Sequence, residues 1–403
     1  MTSIQAEEAA EESSRSPATL AWLVDRILPI PASGRLRIVL PNGGVIARRG
    51  KEQGDVAEME IHRRRGLRRI LFDGEKGFVD GFLDGDWSTP DLPALLGFFL
   101  ANEAAFKTRK RNSRLTDLRS RVMHRLRANT QRGSRRNIAA HYDLGNAFYA
   151  HWLDAGMNYS SAIYDGGETL EAAQAAKLDR VLELLDLHEG DRVLEIGCGW
   201  GALAEQIVRR GSALTGVTLS VEQLRFAEAR LADLGLGQRA DLRLEDYRDI
   251  EGQYDRIASI EMLEAVGERY WPLYFDTLRA RLAPGGVAVL QVITIDERRF
   301  DAYRSRPDFI QRHIFPGGML PTMSRIEAEA ARAGLALCHR QSFGDSYART
   351  LEEWRHRFLR SWNTIEPLGF DWRFRRMWEY YLAYCESGFD HGAIDVSLLK
   401  FRG

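Results

Sequence analysis

A glycine-rich turn after an apolar strand is the segment of the sequence best suited to hold a ligand. The run Arg192–Ile196 predicts a strand, and Gly197, Gly199 and Gly201 lead from it into a predicted helix, Ala202–Arg209. Glycines let the backbone turn tightly and come close to a bound molecule. Alone, this spacing fits several cofactors and also a purely structural turn.

Two further features favour S-adenosylmethionine (SAM) over a dinucleotide. Glu195 stands two residues before Gly197, where its negative charge suits the ammonium and sulfonium groups of SAM and disfavours a pyrophosphate. A dinucleotide fold also needs an acid at the end of the next strand, but the segment from Gly216 to Ser220 contains none. We therefore predict a SAM site, with NAD(P) and a structural turn as the alternatives.

Polar residues after later strands are further candidates, because ligands bind at the carboxyl ends of strands in open α/β sheets. Gln223 could reach the ribose hydroxyls, Asp246 could accept from the adenine amine, and Tyr247 could stack nearby. Ser220 could belong to the same site or serve only as the N-cap of a helix over Val221–Leu234.

Two carboxylates follow the fourth strand of this region, where a substrate would meet the methyl group of SAM. Glu261 and Glu264 are three residues apart, so a helical turn places them on one side. We predict acid–base residues here, although both could simply compensate the positive end of a helix.

Alternating strands and helices must position these residues from about residue 137 onward. Helices over Val221–Leu234 and Tyr270–Leu282 separate short strands, so repeated β–α units predict an α/β fold. We expect a doubly wound, mostly parallel sheet of the Rossmann-like methyltransferase type over 137–403. The predicted strands are Arg192–Ile196, Ala213–Val217, Ala240–Leu244, Asp255–Ile260 and Val287–Ile293.

The N-terminal part has a different pattern, which predicts a smaller α+β domain over 18–106. Residues 1–17 are polar and are predicted to be disordered. A helix is predicted from Leu20 to about Leu28, and an apolar helix over Leu92–Phe106 could lie on a small sheet. The predicted strands of that sheet are Leu36–Leu40, Val45–Ala47, Ile70–Phe72 and Gly77–Gly81.

A strongly basic segment joins the two predicted domains, although the chain of 403 residues has a formal net charge of only −1. Residues 107–136 contain twelve Lys or Arg and one acid, Asp117. Such a segment could bind an anionic membrane surface or nucleic acid, or could be a solvated linker. It contains no aromatic residue, which disfavours single-stranded nucleic acid. We predict membrane docking and no nucleic-acid partner.

Cysteine usage and hydropathy predict a protein that works inside the cell. Cys198, Cys338 and Cys385 fit neither a disulfide framework nor a zinc site, so we expect a reducing compartment and no metal. No apolar run is long enough to span a membrane, and we see no secretory signal. With the basic segment, this predicts a cytoplasmic protein peripherally associated with the inner membrane surface.

Seven segments occur together in the order and spacing of one enzyme family. They are His141–Asn146, Tyr159-Ser160, Val193–Gly201, Val217–Ser220, Asp246–Asp249, Glu264–Gly267 and Ile314–Gly318. Through them, residues 137–403 resemble the cyclopropane-fatty-acyl-phospholipid synthases and the related mycolic-acid cyclopropane synthases. Residues 18–106 resemble, more weakly, the N-terminal domain of the bacterial phospholipid enzymes. The resemblance implies that Tyr159, Ser160, Trp200 and Thr218 join the SAM site, and it suggests a homodimer.

The resemblance implies transfer of a methyl or methylene group from SAM to a cis double bond in an acyl chain. An alkene is a poor nucleophile, so alignment of the reacting groups must carry much of the catalysis. The resulting carbocation needs an apolar tunnel, aromatic faces and one base. The candidate tunnel residues, each of which could also be ordinary core, are Trp152, Tyr159, Trp354, Phe358, Trp362, Trp378, Tyr380 and Tyr381.

In the family the base is a bound bicarbonate, and this sequence keeps part of the set that holds it. Glu264 and Tyr347 match the family's glutamate and tyrosine, whereas Ser161 replaces its cysteine and Gln291 its histidine. These side chains could still hold bicarbonate. Glu261 stands where the better-known bacterial members carry glycine, so a carboxylate could replace bicarbonate as the base.

We therefore predict a SAM-dependent methyltransferase that acts on unsaturated fatty acyl chains of phospholipids. Proton loss from the added methyl closes a cyclopropane ring, whereas loss from a neighbouring carbon gives a methyl-branched or methylene product. Cys385 matches a cysteine once regarded as catalytic in the family, although alkene methylation needs no thiolate and a structural role is the alternative. Other classes are a SAM methyltransferase for a different small molecule or nucleic acid, and a non-catalytic SAM- or lipid-binding protein.

Overall fold

The computed structural model describes residues 28–107 and 144–403. These residues form two compact units. The first unit joins the N-terminal elements to residues 370–391, and the second contains the rest of the described chain, including residues 392–403. The predicted boundaries had assigned 370–391 to the methyltransferase domain.

Several sequence predictions fall on residues outside the described ranges. These are the leader 1–17, most of the helix predicted from Leu20, residues 108–136 of the basic segment and the start of the motif at His141. Within the described ranges, no helix is both long and apolar enough to cross a membrane.

Each unit is built around one β-sheet. In chain order the strands are β1 (Ser33–Val39), β2 (Val45–Arg49), β3 (Glu52–Ile61), β4 (Trp87–Ser88), β5 (Arg192–Ile196), β6 (Ala213–Thr218), β7 (Ala240–Leu244), β8 (Tyr254–Ile260), β9 (Leu282–Ile295), β10 (Ala336–Ser342) and β11 (Ile394–Arg402). The sheet of the first unit has the order β2-β1-β3-β4, and that of the second has the order β10-β11-β9-β8-β5-β6-β7.

The helices of the first unit are the first three and the last in the chain. In chain order the helices are α1 (Arg64–Leu83), α2 (Leu92–Ala101), α3 (Glu103–Lys107), α4 (Asn146–Ala150), α5 (Leu170–Leu185), α6 (Ala202–Arg209), α7 (Val221–Asp233), α8 (Leu263–Val266), α9 (Trp271–Arg281), α10 (Glu297–Ser305), α11 (Phe309–His313), α12 (Met323–Arg332), α13 (Gly344–Arg360), α14 (Trp362–Ile365) and α15 (Trp372–Asp390).

The first unit corrects two strand predictions. Ile70–Phe72 and Gly77–Gly81 lie in α1 rather than in strands, and the strand β3 was not predicted. Gly74 kinks α1 with φ of 57°, whereas Gly81 allows close packing, because a Cβ there would lie 2.9 Å from Cδ1 of Trp87. The predicted helix Leu92–Phe106 is divided into α2 and α3.

Helix α15 completes the first unit because its aromatic face packs against α1 and α2. Arg376 donates hydrogen bonds to the carbonyl oxygens of Phe82 and Trp87, and its guanidinium lies 3.8 Å from the ring centroid of Phe82. The rings of Tyr380 and Phe82 are 5.6 Å apart. These contacts explain why residues 370–391 belong to this unit.

The second unit has the predicted doubly wound, mostly parallel sheet. Strands β5 to β9 pair in parallel, and β11 runs antiparallel to both neighbours, β9 and β10. The five predicted strands are present, and β9 extends well beyond its predicted range at both ends. The strand order reverses between β5 and β8, and such a switch point is where open α/β sheets bind ligands.

Candidate active site

The glycine turn follows β5 at this switch point. Gly199 has φ of 52°, and a Cβ there would meet nothing within 4 Å. Gly201 has φ of 84°, and a Cβ there would lie 3.0 Å from the Cβ of Ala227. Gly199 therefore leaves open space beside the turn, while Gly201 lets α6 pack closely on α7.

Glu195 places a buried carboxyl group next to this turn. Its side chain is buried, and Oε2 has no hydrogen-bond partner within the described residues. Burial raises the pKa of Glu195 to about 8, and the positive charge of Lys177 opposes that rise. Buried polar atoms are nearly always paired in proteins. An unpaired carboxylate oxygen beside an open glycine turn therefore fits a cationic ligand such as SAM.

The side chains after β6 form a buried hydrogen-bonded network. Thr218 Oγ1 donates to Gln223 Oε1 at 2.9 Å, and Ser220 Oγ accepts from the Gln223 backbone N–H at 3.3 Å. The predicted N-cap role of Ser220 for α7 is thus confirmed. The network fixes Gln223 at the edge of the sheet beside the glycine turn.

Asp246 is held differently from the prediction. Both its carboxylate oxygens accept from Arg248, at 2.7 Å and 2.6 Å, so an adenine amine would share an acceptor already in use. Tyr247 is buried, and burial raises the pKa of its hydroxyl. The adenine-binding roles of Asp246 and Tyr247 remain predictions.

Aromatic residues from separate segments cluster on the same side of the second unit. Trp200 donates from Nε1 to Asn146 Oδ1 at 2.7 Å. The ring of Tyr149 lies 5.1 Å from Trp200 and 5.4 Å from Tyr159. The ring of Tyr149 therefore lies between those of Trp200 and Tyr159, and Ser160 follows Tyr159 in the chain.

Glu261 is the centre of the predicted acid–base group. It follows β8 with φ of 51°, in the left-handed region that non-glycine residues seldom adopt. Its Oε1 accepts from the Ser161 backbone N–H at 2.8 Å and from Gln291 Nε2 at 2.7 Å. Its Oε2 accepts from the Tyr347 hydroxyl at 2.7 Å.

This arrangement bears directly on bicarbonate. The family resemblance assigns Glu264, Tyr347, Ser161 and Gln291 to holding that ion. Of these, Gln291 and Tyr347 donate to the carboxylate of Glu261 through their side chains, and Ser161 donates to it through its backbone N–H. The donors are therefore engaged by a side chain of the chain itself. A separate bicarbonate does not fit this donor set.

Glu264 has a contrasting environment only one helical turn away. Its Oε1 accepts from the Ile293 backbone N–H, and Oε2 has no hydrogen-bond partner within the described ranges. Burial, followed by the negative charge of Glu261, raises the pKa of Glu264 to about 8. Burial also raises the pKa of Glu261, but its three donors and Lys177 oppose the rise. Near neutral pH, Glu264 is therefore the protonated partner.

The alternative role of these carboxylates, compensation of the positive end of a helix, stays open for Glu264, which lies in the first turn of α8. Helix α8 begins after Met262 and has no side-chain capping hydrogen bond. Glu261 and Glu264 accept hydrogen bonds from the loop before α5, from β9 and from α13. They are two buried carboxyl groups in distinct environments, and their acid–base role remains a prediction.

The predicted tunnel aromatics divide between the two units. Trp354 lies 5.5 Å from Tyr159, 5.6 Å from Trp152 and 6.1 Å from Tyr347, so rings surround the residue that donates to Glu261. Phe358 and Trp362 continue the cluster along α13 and α14. The remaining three, Trp378, Tyr380 and Tyr381, lie on α15 in the first unit.

The three cysteines belong to different elements: Cys198 to the glycine turn, Cys338 to β10 and Cys385 to α15. Cys385 is on α15 in the first unit, so the structure does not group it with Glu261 in the second. Cys198 is buried within the glycine turn, and burial raises the pKa of its thiol well above the usual value. A catalytic role for Cys385 stays a prediction.

Two polar residues on the buried face of α5 were not predicted. Gln174 and Lys177 are 1% exposed each and lie on the face that also buries Leu170, Ala173 and Val181. Lysine is almost never fully buried without a partner. The signal was present in the sequence, because both occupy core positions of an otherwise apolar helical stripe.

Comparison with known proteins identifies one family. Residues 129–399 match the family described as mycolic acid cyclopropane synthetase. The chain is 38% identical to tuberculostearic acid methyltransferase UfaA1 of Mycobacterium tuberculosis (strain ATCC 25618 / H37Rv), over 97% of this chain and 96% of that protein. It is 33% identical to the cyclopropane-fatty-acyl-phospholipid synthase of Escherichia coli (strain K12), over 83% of this chain and 84% of that protein.

Among solved structures, a mycolic acid cyclopropane synthase has the same fold as the second unit's part of the chain. The crystal structure of CmaA1 complexed with SAH and CTAB superposes with a TM-score of 0.63 at 29% identity. The match covers 67% of this chain and 98% of that one.

Proposed function

The chain belongs to the mycolic acid cyclopropane synthetase family of SAM-dependent methyltransferases, and from this membership we propose that it methylates the cis double bond of unsaturated fatty acyl chains in phospholipids. One observation carries the chemical part of the proposal. The Glu261 carboxylate, held by three donors, lies on the same sheet edge as the glycine turn and the unpaired Glu195. That edge thus combines a cation-binding carboxylate with a positioned base.

Cofactor binding falls to the residues around the glycine turn. When bound, SAM supplies an electrophilic methyl group. Glu195 would compensate the positive charge, and the open space at Gly199 would admit the ligand close to the backbone. The buried network of Thr218, Ser220 and Gln223 would keep the edge of β6 in place.

Glu261 would act as the general base. If the alkene attacks the methyl group of SAM, the sulfur–methyl bond would break and S-adenosylhomocysteine would leave. The carbocation left on the acyl chain would then lose one proton, either from the added methyl or from a chain carbon next to the positive charge. Gln291, Ser161 and Tyr347 orient the carboxylate of Glu261 toward one fixed direction. Protonated Glu264 adds no second negative charge, so the proton is taken at Glu261.

The aromatic cluster would face the developing charge. The ring of Trp354 lies between those of Tyr159 and Tyr347, and the hydroxyl of Tyr347 donates to Glu261. Ring faces attract cations and exclude water, and both properties prolong the life of a carbocation. Because their surroundings are apolar, these residues would also line the path of the acyl chain.

Two products are open to this chemistry. Proton loss from the transferred methyl closes a cyclopropane ring, and loss from a neighbouring chain carbon gives a methyl-branched alkene. Two observations support the branched product as a second candidate. Glu261 occupies donors that the resemblance assigns to bicarbonate, and the chain is similar to a protein named as a tuberculostearic acid methyltransferase. The difference depends only on which proton Glu261 reaches.

We also place this activity at the cytoplasmic face of the inner membrane, as a peripheral protein. The twelve basic residues between 107 and 136 support docking on anionic lipid. Sedimentation with anionic and neutral liposomes at low and high salt tests this. Salt-sensitive binding that requires anionic lipid is expected, and equal binding to neutral lipid at both salt levels would contradict it.

The activity itself is tested with the full chain, methyl-labelled SAM and vesicles of unsaturated phospholipid. We expect label in the acyl chains and a mass gain of one CH2 group. Vesicles of saturated phospholipid are the control and should gain no label. Proton NMR of the released acids then separates ring protons from vinylic ones. Absence of label under saturating SAM would overturn the proposed function.

A further inference from the structure

A buried lysine lies behind both the cofactor side and the base side of the active site. Lys177, on α5, is 1% exposed, and its Nζ donates to Ser160 Oγ at 3.0 Å. One turn earlier, Gln174 Nε2 donates to the Ser160 carbonyl oxygen at 2.8 Å. Two polar residues of one buried helix face therefore hold the same serine from two sides.

The next residue in the chain connects this serine to the base. The Ser161 backbone N–H donates to Glu261 Oε1 at 2.8 Å. Any shift of Ser160 would therefore move the donor that orients Glu261. Helix α5 thus reaches the base through two consecutive residues of one loop, without touching the base itself.

The charge of Lys177 also connects it with the cofactor side and the base side of the active site. The negative groups that act on Lys177 are Glu261 after β8, Asp154 in the loop before α5 and Glu195 on β5. Asp154 is already bonded to Gly156 N and to both nitrogens of Asn158. Glu261 is the strongest of the three influences, and Glu261 and Glu195 are the two that belong to the active site.

Groups on two other elements also act on the base. Glu264 on α8 places a carboxyl near Glu261, and Tyr347 on α13 donates to it. Burial lowers the pKa of Lys177 to about 8, so the lysine is largely protonated near neutral pH. A buried cation is expensive to keep, and an apolar residue would pack as well on this face of α5.

We propose that Lys177 is a positioning residue that keeps Glu261 ionised and holds Ser160 and Ser161 between the cofactor and the base. The inference rests on the proposed function, because it assigns Lys177 a part in the same reaction. Lys177 takes no part in bond making. Its charge favours the anionic form of Glu261, and its hydrogen bond fixes the loop.

Three variants separate the charge from the hydrogen bond. Lys177→Gln removes the charge but keeps a donor for Ser160. Lys177→Met removes both, and Ser160→Ala removes only the hydrogen bond. Lys51→Met, at an exposed lysine of the first unit, is the control.

The first measurement is the dependence of kcat on pH. The acid limb is the part of the profile where kcat falls as pH is lowered. It should move to higher pH by about one unit or more in Lys177→Gln and Lys177→Met, because loss of a neighbouring cation raises the pKa of a carboxyl. Ser160→Ala and Lys51→Met should keep the wild-type limb. Turnover of Lys177→Gln should then recover at alkaline pH, which a structural defect would not produce.

The second measurement does not need turnover. Titration calorimetry with S-adenosylhomocysteine should show about tenfold weaker binding in Lys177→Met and Ser160→Ala, through loss of one charge-assisted hydrogen bond. If Lys177→Met does not fold, Lys177→Gln still decides the matter. An acid limb of Lys177→Gln that superimposes on wild type overturns this inference alone. A wild-type protein without methyl transfer instead overturns the proposed function.

Discussion

Replacing Glu261 by glutamine separates the proton-accepting role of this residue from its structural role. Glutamine has nearly the same shape, and its amide oxygen can still accept from Ser161 N–H and Gln291 Nε2. Its NH2 group would face the hydroxyl of Tyr347, which can turn to accept instead of donating. The surroundings of residue 261 should therefore persist, while the ability to take a proton is lost.

The expected fall in kcat is that of removing one function from residue 261, the acceptance of a proton. General bases contribute about 10²- to 10⁴-fold to rate, so kcat of Glu261→Gln should fall by about that factor. Glu264 cannot easily substitute, because burial, the largest cause of its raised pKa, is unchanged in this variant and still favours the protonated form. Affinity for S-adenosylhomocysteine should stay within about threefold, since binding at Glu195 is unchanged.

The assay is transfer of labelled methyl to unsaturated phospholipid vesicles in buffer purged of carbon dioxide. Glu327→Gln is the matched control, because Glu327 is exposed on α12. Its kcat should equal that of wild type. The wild-type rate should also be the same with and without added bicarbonate, since the donors of the site bind Glu261.

A glycine at position 261 extends the test. Glu261 has φ of 51°, a conformation that glycine adopts without strain. Glu261→Gly should therefore fold and leave three donors, from Ser161, Gln291 and Tyr347, facing an empty position. Added bicarbonate should restore its turnover in a saturable manner, whereas Glu261→Gln should not respond.

Two results would refute this reasoning. One is a Glu261→Gln variant that keeps more than about a tenth of wild-type kcat. The other is a wild-type rate that rises with bicarbonate to a plateau, because the ion would then be the base despite the occupied donors.

Three further outcomes are expected. Glu195→Gln should lower the affinity for SAM, measured by calorimetry, by about tenfold more than the affinity for S-adenosylhomocysteine, because only SAM carries the sulfonium charge. The affinity of wild type for SAM should rise as pH approaches 8, where Glu195 ionises. Equal losses for both ligands would count against it. Glu264 has a folded-state pKa of about 8, above its unfolded value, so its contribution to stability is complete at low pH and is lost as pH rises through 8. In urea unfolding, the free energy of unfolding of wild type should therefore fall between pH 5 and pH 8. In Glu264→Gln this fall should be smaller by about 1 kcal/mol or more, and an equal fall in both proteins would contradict the assignment. Ser220→Ala should lower the free energy of unfolding by about 1 kcal/mol through loss of the α7 N-cap, with affinity for SAM within about twofold; a stability equal to wild type would be inconsistent with the cap.

The elements around the glycine turn could be predicted because their signals are local. The strand β5 and the helix α6 lie where the apolar run and the glycines placed them. In α1, local signals were misleading. Gly77 and Gly81 suggested turns, whereas their lack of side chains allows close packing against neighbours such as Trp87.

The convergence on Glu261 could not be predicted from local pattern. Ser161 is 100 residues away from Glu261 in the chain, Tyr347 is 86 away and Gln291 is 30 away. The family resemblance named all of these residues, but it placed an external ion among them. Only the folded arrangement assigns their hydrogen bonds to a carboxylate of the same chain.

Helix α15 has a consequence for how the protein can be made and divided. Arg376, which bonds to the carbonyl groups of Phe82 and Trp87, is synthesised nearly three hundred residues after them. During translation, the first unit must therefore wait, incomplete, until most of the second has left the ribosome. A chain shortened before Phe370 would lose α15 from the first unit, and it would lose β11 from its place between β10 and β9 in the second sheet. No single cut in the gene can yield both units whole.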